Sequence, residues 1–115
     1  MPSVESIAGG NADERAFRMI SGAVQRAQDL AVTTRLPQTI VIELDRKTLG
    51  IGESPTASLP EKTKIAIRTE RDGRDIVSGR AEIRVDRYGA IEPFSIRVGD
   101  FIHANANPIT GVLER

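Results

Sequence analysis

The sequence contains no cysteine and no tryptophan, and it has a single histidine. Without cysteine the chain cannot form a disulfide framework, a thiolate nucleophile or a cysteine-ligated zinc site, and it gives no clue to the redox state of its compartment. The single histidine, His103, could hold zinc only with the help of several carboxylates. The composition therefore excludes thiol chemistry and disfavours a zinc centre.

Long apolar runs and an excess of one charge are also missing. No run approaches the roughly 20 apolar residues that a membrane-spanning helix needs, and no cleavable secretory signal is recognisable. Sixteen basic residues balance 16 acidic ones, so no long-range field would collect nucleic acid or anionic lipid around the whole molecule. The 115 residues suffice for one core. We expect a single soluble domain spanning residues 1–115.

The first third of the chain has the pattern of one amphipathic helix. Asn11, followed by Glu14, has the form of a capping box and predicts a helix start at Asn11. Pro37 predicts an end around residues 33–35. Between them the apolar residues recur at spacings of three and four, so they lie on one stripe of the helix. The stripe consists of Phe17, Ile20, Val24, Ala27 and Leu30 or Ala31. Residues 11–35 are therefore the predicted helix, and residues 1–10 a linker or helix stub.

After Pro37 the apolar period changes from about 3.6 to about 2, which predicts β-strands. The turn Asp45-Arg46-Lys47 joins the first two strands in a hairpin, whereas residues 52–60 contain two prolines and no periodicity and are predicted to form a surface loop. The strands are predicted at residues 40–45, 48–51, 63–69, 74–77, 81–85, 93–98, 101–106 and 112–114.

No helical pattern separates the strands, so short antiparallel connections are favoured over parallel crossovers. We therefore predict an α+β fold, in which a long N-terminal helix packs on antiparallel sheet, with residues 38–115 as the β region. Two sheets that face each other are one form of this architecture.

Three segments contain residue types that also occur in catalytic or binding motifs. Ser95, Asp100 and His103 could be taken for a catalytic triad, but no glycine-flanked nucleophile turn surrounds Ser95. Residues 70–75 hold three carboxylates around Gly73, yet two arginines in the same loop oppose calcium, and a hairpin turn explains the glycine. Residues 50–52 lack the third glycine and the lysine of a phosphate-binding loop and are predicted to end a strand.

Arginines 80, 84, 87 and 97 are predicted to point outward from neighbouring strand segments, which could form a local basic face. Acidic residues are interleaved with them, and only Tyr88 is available to stack on a base. The pattern favours cross-strand ion pairs over nucleic-acid binding.

Several segments together resemble the GspH/FimT group of minor pseudopilins and pilins. Residues 23–37 end a helix before a proline, and residues 40–45 then form an alternating strand that reaches Asp45. Residues 81–89 are similar to the family's strand followed by an Asp/Gly turn, and residues 107–112 to its closing Thr-Gly turn. The resemblance covers about residues 11–115 and rests on the order and spacing of these segments.

That resemblance implies a pilin-like fold and a non-catalytic structural subunit of a type II secretion pseudopilus. Members of the family begin with a cleaved leader and an apolar helix, and residues 2–6 resemble the stretch that follows this helix. We therefore expect that Met1 replaces a deleted segment, which would hold the protein in the inner membrane with this domain in the periplasm. Other pseudopilins are the expected partners, with no cofactor, no metal and no small-molecule substrate.

Val4 and Ile7 are the candidate residues nearest the filament axis, and Arg84, Arg87 and Arg97 are further candidate partner-binding residues. Two alternatives stay open. The chain could be a type IV minor pilin that captures DNA through these arginines, or a small periplasmic enzyme that uses His103.

Overall fold

The computed structural model describes the backbone of residues 2–115, and it describes their side chains except for residues 2–11, 54 and 56. One helix, α1 (Pro2–Thr34), precedes eight strands. These are β1 (Gln38–Glu43), β2 (Thr48–Ile51), β3 (Ser54–Ser58), β4 (Ile65–Thr69), β5 (Arg80–Val85), β6 (Phe94–Val98), β7 (Ile102–Ala106) and β8 (Leu113–Glu114).

The helix ends where the sequence predicts but begins earlier. It starts at Pro2, so the predicted capping of the helix by Asn11 is wrong. Proline fits the first helical turn because its missing N–H would have no partner there, and the backbone ladder then continues past Asn11. At the other end Arg35 adopts a left-handed conformation with φ of 59° just after Thr34. No helix among the described residues is long and apolar enough to cross a bilayer.

The strands form two antiparallel four-stranded sheets, with the orders β3-β2-β1-β5 and β4-β6-β7-β8. The first contains a strand where a loop was predicted, because β3 pairs with β2 through a register shift between Leu49 and Gly50. Pro55 is tolerated in β3 because one edge of an outer strand needs no N–H donors. The predicted strand at residues 74–77 is also wrong, since only Ile76 forms a bridge, to Ile67 of β4.

The core lies where the helix meets the inner faces of both sheets. The helix contacts β1, β2 and β5 of the first sheet and β6 and β7 of the second. The predicted stripe is buried, with Ala31 rather than the 41% exposed Leu30 as its last member. Small side chains at Ala16 and Ala23 extend this face. Apolar residues at alternate positions of the strands are buried as well, and the α+β prediction is confirmed. These residues are Ile40, Ile42, Leu44, Ile65, Ile67, Ala81, Ile83, Val85, Phe94, Ile96 and Val98.

Candidate functional site

The most elaborate contacts of the helix are made with turns of the β region. The half-buried Gln28 donates a hydrogen bond from Nε2 to the carbonyl oxygen of Gly89 at 2.9 Å. A Cβ atom on Gly111 would overlap the same Gln28 amide. Both glycines have positive φ, 87° for Gly89 and 74° for Gly111, which glycine adopts at little cost. One polar side chain therefore fixes two turns against the C-terminal half of α1.

Two further contacts fix the earlier part of the helix. A Cβ atom on Gly99, in the turn after β6, would overlap the Asp13 carboxylate, so this turn lies directly against the helix. Arg115 donates to both carboxylate oxygens of Glu14, at 3.2 and 3.3 Å. Its guanidinium also lies 5.5 Å from the centre of the Phe17 ring. From Asp13 onward the helix is thus attached to the β region.

The local basic face that the outward arginines could have formed is not one surface. Arg84 is on β5 of the first sheet, Arg97 is on β6 of the second, and Arg87 follows β5 in a turn. Arg97 contacts the carboxylate of Asp75 at 3.4 Å. The grouping failed because alternation along a strand does not show to which sheet the strand belongs.

The remaining arginine of the predicted set, Arg80, is surrounded by carboxylates. Its guanidinium lies 3.0 Å from Glu82, 3.4 Å from Glu53 and 3.8 Å from Glu43. Glu43 is its direct cross-strand partner on β1. The positive charge of Arg80 is therefore engaged in ion pairs, as the interleaved acidic residues predicted.

Val4 and Ile7 belong to α1, but their side chains lie outside the described part of the chain. Their role as residues nearest a filament axis stays a prediction.

His103 is exposed on the outer face of the second sheet, directly across from Arg97. Ser95 lies across from Asn105 on the same strand pair, and Asp100 is in the turn after β6. No side-chain hydrogen bond joins Ser95, His103 and Asp100, so the three are not arranged as a triad. Within the described ranges, no group of three or more His, Asp or Glu residues could hold a metal ion.

The acidic loop at residues 70–75 is a hydrogen-bonded turn. Gly73 has φ of 67°, and the Thr69 hydroxyl donates to the Asp72 carboxylate at 2.9 Å. The Arg71 guanidinium donates to Glu92 at 3.1 Å, and this hydrogen bond raises the pKa of Arg71 above its ordinary value. Gly73 therefore serves the predicted turn. The segment at residues 50–52 ends a strand as predicted, since β2 stops at Ile51.

Open cavities lie at two places that the sequence did not single out. One of about 480 Å³ lies beside the start of β4 and is lined in part by Lys47, Lys64 and Arg97. Another, of about 410 Å³, lies at the end of α1 and is lined by Val32, Arg35, Arg87 and Tyr88. The lining of the second comes from segments about 50 residues apart in the sequence, which no local pattern connects.

No protein-family model matches the chain, and no curated protein or solved structure shows a significant match to it. The structure therefore defines the protein by its architecture, a long N-terminal helix packed on two four-stranded antiparallel sheets.

Proposed function

We propose that this chain is the globular part of a minor pseudopilin of the GspH/FimT type, a structural subunit that supports protein export through contacts with other pseudopilins. The observation that supports this most is the form of the helix. It runs unbroken from Pro2 to Thr34, and its buried face from Ala16 to Ala31 packs against both sheets. An assembly that holds the N-terminal end of such a helix would therefore also fix the position of the whole β region.

The physical basis of this proposal is the set of contacts that hold the helix against the β region. Buried stripe residues, the Gln28 hydrogen bond and the Arg115 to Glu14 ion pair all connect α1 to elements that follow it in the chain. Burying side chains such as Ile20 and Val24 contributes about 1.5 to 3 kcal/mol each. Withdrawing the helix would expose the inner faces of both sheets, so helix and sheets should move as one body.

DNA capture through the predicted arginines has less support from the geometry. Arg97 is paired with Asp75, and Arg84 belongs to the other sheet. Titration with duplex DNA at low and high salt tests this alternative. Micromolar affinity that falls steeply with salt would favour the DNA-binding pilin.

An enzyme that uses His103 also has less support, because Ser95 and Asp100 are not arranged around the imidazole. His103→Ala should leave export unchanged. Loss of export by a variant that is folded and present at the normal level would favour the enzymatic alternative.

The direct test is deletion of the gene in the source bacterium, followed by complementation with the full-length gene. The proposal predicts that deletion lowers the export of secreted proteins into the medium and that complementation restores it. Unchanged export, with the type II system intact and active, would contradict the proposal.

A further inference from the structure

Most of the large apolar side chains left exposed among the described residues lie at one end of the molecule. Three are at the C-terminal end of α1 and its exit. Tyr88 lies in the turn whose Gly89 approaches Val32, since a Cβ there would be 2.9 Å from Val32 Cγ2. Two more flank Gly111, which packs on Gln28 one helical turn before Val32. Five of these residues form what we call the helix-end patch, namely Val32, Leu36, Tyr88, Ile109 and Val112, whereas Leu30 lies on the other side of the helix from Val32.

Two arginines lie within this patch and line its cavity with Val32 and Tyr88. The Arg87 guanidinium lies 5.2 Å from the centre of the Tyr88 ring. Unlike Arg80 and Arg97, neither Arg35 nor Arg87 is paired with a carboxylate in the described part of the chain. The nearby Asp86 carboxylate accepts instead from the backbone N–H groups of Tyr88 and Ala90. Two cations therefore face an open concave site.

Arg35 occupies its place at a conformational cost. Its φ of 59° is in the left-handed region, where helices usually end on glycine. Any side chain at this position is strained, so the fold alone would favour glycine. Despite this cost, the position is occupied by an arginine, and this residue lines the cavity.

We infer that the helix-end patch docks a neighbouring protein subunit through a segment that carries a carboxylate beside apolar side chains. Planar guanidinium groups bind carboxylates with paired hydrogen bonds, and tyrosine and arginine dominate the energetics of protein interfaces. An apolar counterpart beside that ion pair would cover the exposed Leu36, Ile109 and Val112. The zero net charge and the concave shape favour such a segment over a flat anionic membrane. That the subunit is a pseudopilin rests on the proposed function, whereas the chemistry of the patch does not.

The test is an NMR titration of the isotope-labelled chain with a short synthetic peptide in which glutamate is flanked by leucines. A second peptide has glutamine in place of glutamate. We expect the acidic peptide to shift the signals of Val32, Arg35, Arg87 and Tyr88, and to bind about fivefold more tightly than the glutamine peptide. Equal binding of the two peptides, shifts elsewhere, or no shifts at the patch would overturn the inference.

Three variants separate docking from folding. Arg35→Gly should raise the unfolding midpoint yet weaken peptide binding by about fivefold, and Arg87→Gln should weaken binding similarly. Arg18→Gln, which changes an exposed arginine elsewhere on α1, should bind like the parent chain. A purely structural role for Arg35 predicts unchanged binding by the stabilised Arg35→Gly variant, and that result would overturn the inference.

Binding to phosphatidylglycerol vesicles tests whether the patch instead contacts a lipid surface. Binding to them that exceeds peptide binding and is lost in both arginine variants would assign the patch to a lipid surface and overturn the inference. Export assays remain independent of this test. Peptide binding at the patch without an export defect on gene deletion would refute the pseudopilin proposal alone, and an export defect without peptide binding would refute the docking inference alone.

Discussion

Replacing Gln28 tests how the β region is fixed to the helix. Its Nε2 donates to the Gly89 carbonyl at 2.9 Å, and its amide packs on Gly111. In Gln28→Ala the hydrogen bond, worth about 1 kcal/mol, is lost, and a partly buried carbonyl short of a donor adds about 1 kcal/mol more. We therefore expect the free energy of unfolding to fall by about 2 kcal/mol, which lowers Tm by about 8 °C in a domain of this size.

The matched control is Gln25→Ala. Gln25 is exposed on the same helix, so this change carries the same difference in helix propensity without the contacts to the turns. Urea unfolding of both variants gives the comparison. If Gln28→Ala and Gln25→Ala have equal stability, Gln28 does not fix the turns and the reasoning is wrong.

Gln28→Glu adds a pH dependence to the same test. The introduced carboxyl can donate to the Gly89 carbonyl only when protonated, and its ionised form would repel that oxygen. Its pKa in the folded state should therefore lie above that in the unfolded state. The stabilising contribution is then present at acid pH and is lost as pH rises, between about pH 4 and pH 6. Gln25→Glu, at the exposed position, should show a much smaller change over this range, and equal changes in the two variants would contradict the assignment.

Three other substitutions test separate features. Thr63 is 2% exposed, and its hydroxyl has no hydrogen-bond partner among the described residues. Thr63→Val should therefore raise the free energy of unfolding, measured in urea, by about 1 kcal/mol. A decrease in stability would mean that the hydroxyl does make a hydrogen bond. Arg80→Met leaves three carboxylates without their shared cation, so the free energy of unfolding should fall by about 1 kcal/mol at neutral pH and by less in high salt. An effect that does not depend on salt would count against ion pairing. Gly111→Ala should lower the free energy of unfolding by about 2 kcal/mol or more, and by markedly less when Gln28 is already alanine. Strictly additive losses in the double variant would argue against a contact between the two residues.

The elements that sequence predicts best here are those set by local constraints. Pro37 limits the helix end, and the alternation of Ile40 and Ile42 predicts a strand, because each signal acts over a few residues. The start of the helix was missed because the capping-box pattern at Asn11 also fits the interior of a helix. The helical hydrogen bonds continue through Asn11 from a first turn that contains Pro2, a residue that this turn tolerates. The capping motif indicates where a helix can begin, not where it must.

The parts that sequence does not predict depend on distant partners. Strand β3 has no apolar periodicity and contains Pro55, and it forms because β2 offers an edge for pairing. The division into two sheets separates Arg84 from Arg97, although both point outward from strands close in sequence. Gln28 contacts a carbonyl 61 residues away, so its role follows only from the fold.

The candidate docking surface illustrates the same limit. Arg35 has a local signal, a non-glycine residue between a helix end and Pro37, which could have suggested a special conformation. Arg87 was among the predicted partner-binding residues, but its neighbours at the cavity were not. Only packing of the turn at Gly89 against Val32 brings them together.

Site-specific crosslinking in living cells tests most directly whether the helix is the spine of an assembled subunit. These 115 residues contain no cysteine, so Ile7→Cys introduces one thiol into this part of the full-length protein, and Lys62→Cys places one on the exposed surface of the β region as a control. The account predicts that maleimide-benzophenone, which attaches to the thiol and on illumination bonds to a neighbouring C–H group, joins the Ile7→Cys protein, and not the Lys62→Cys protein, to another pilin-like subunit. A thiol at position 7 that reacts freely with a soluble maleimide but is never crosslinked to such a subunit would contradict it.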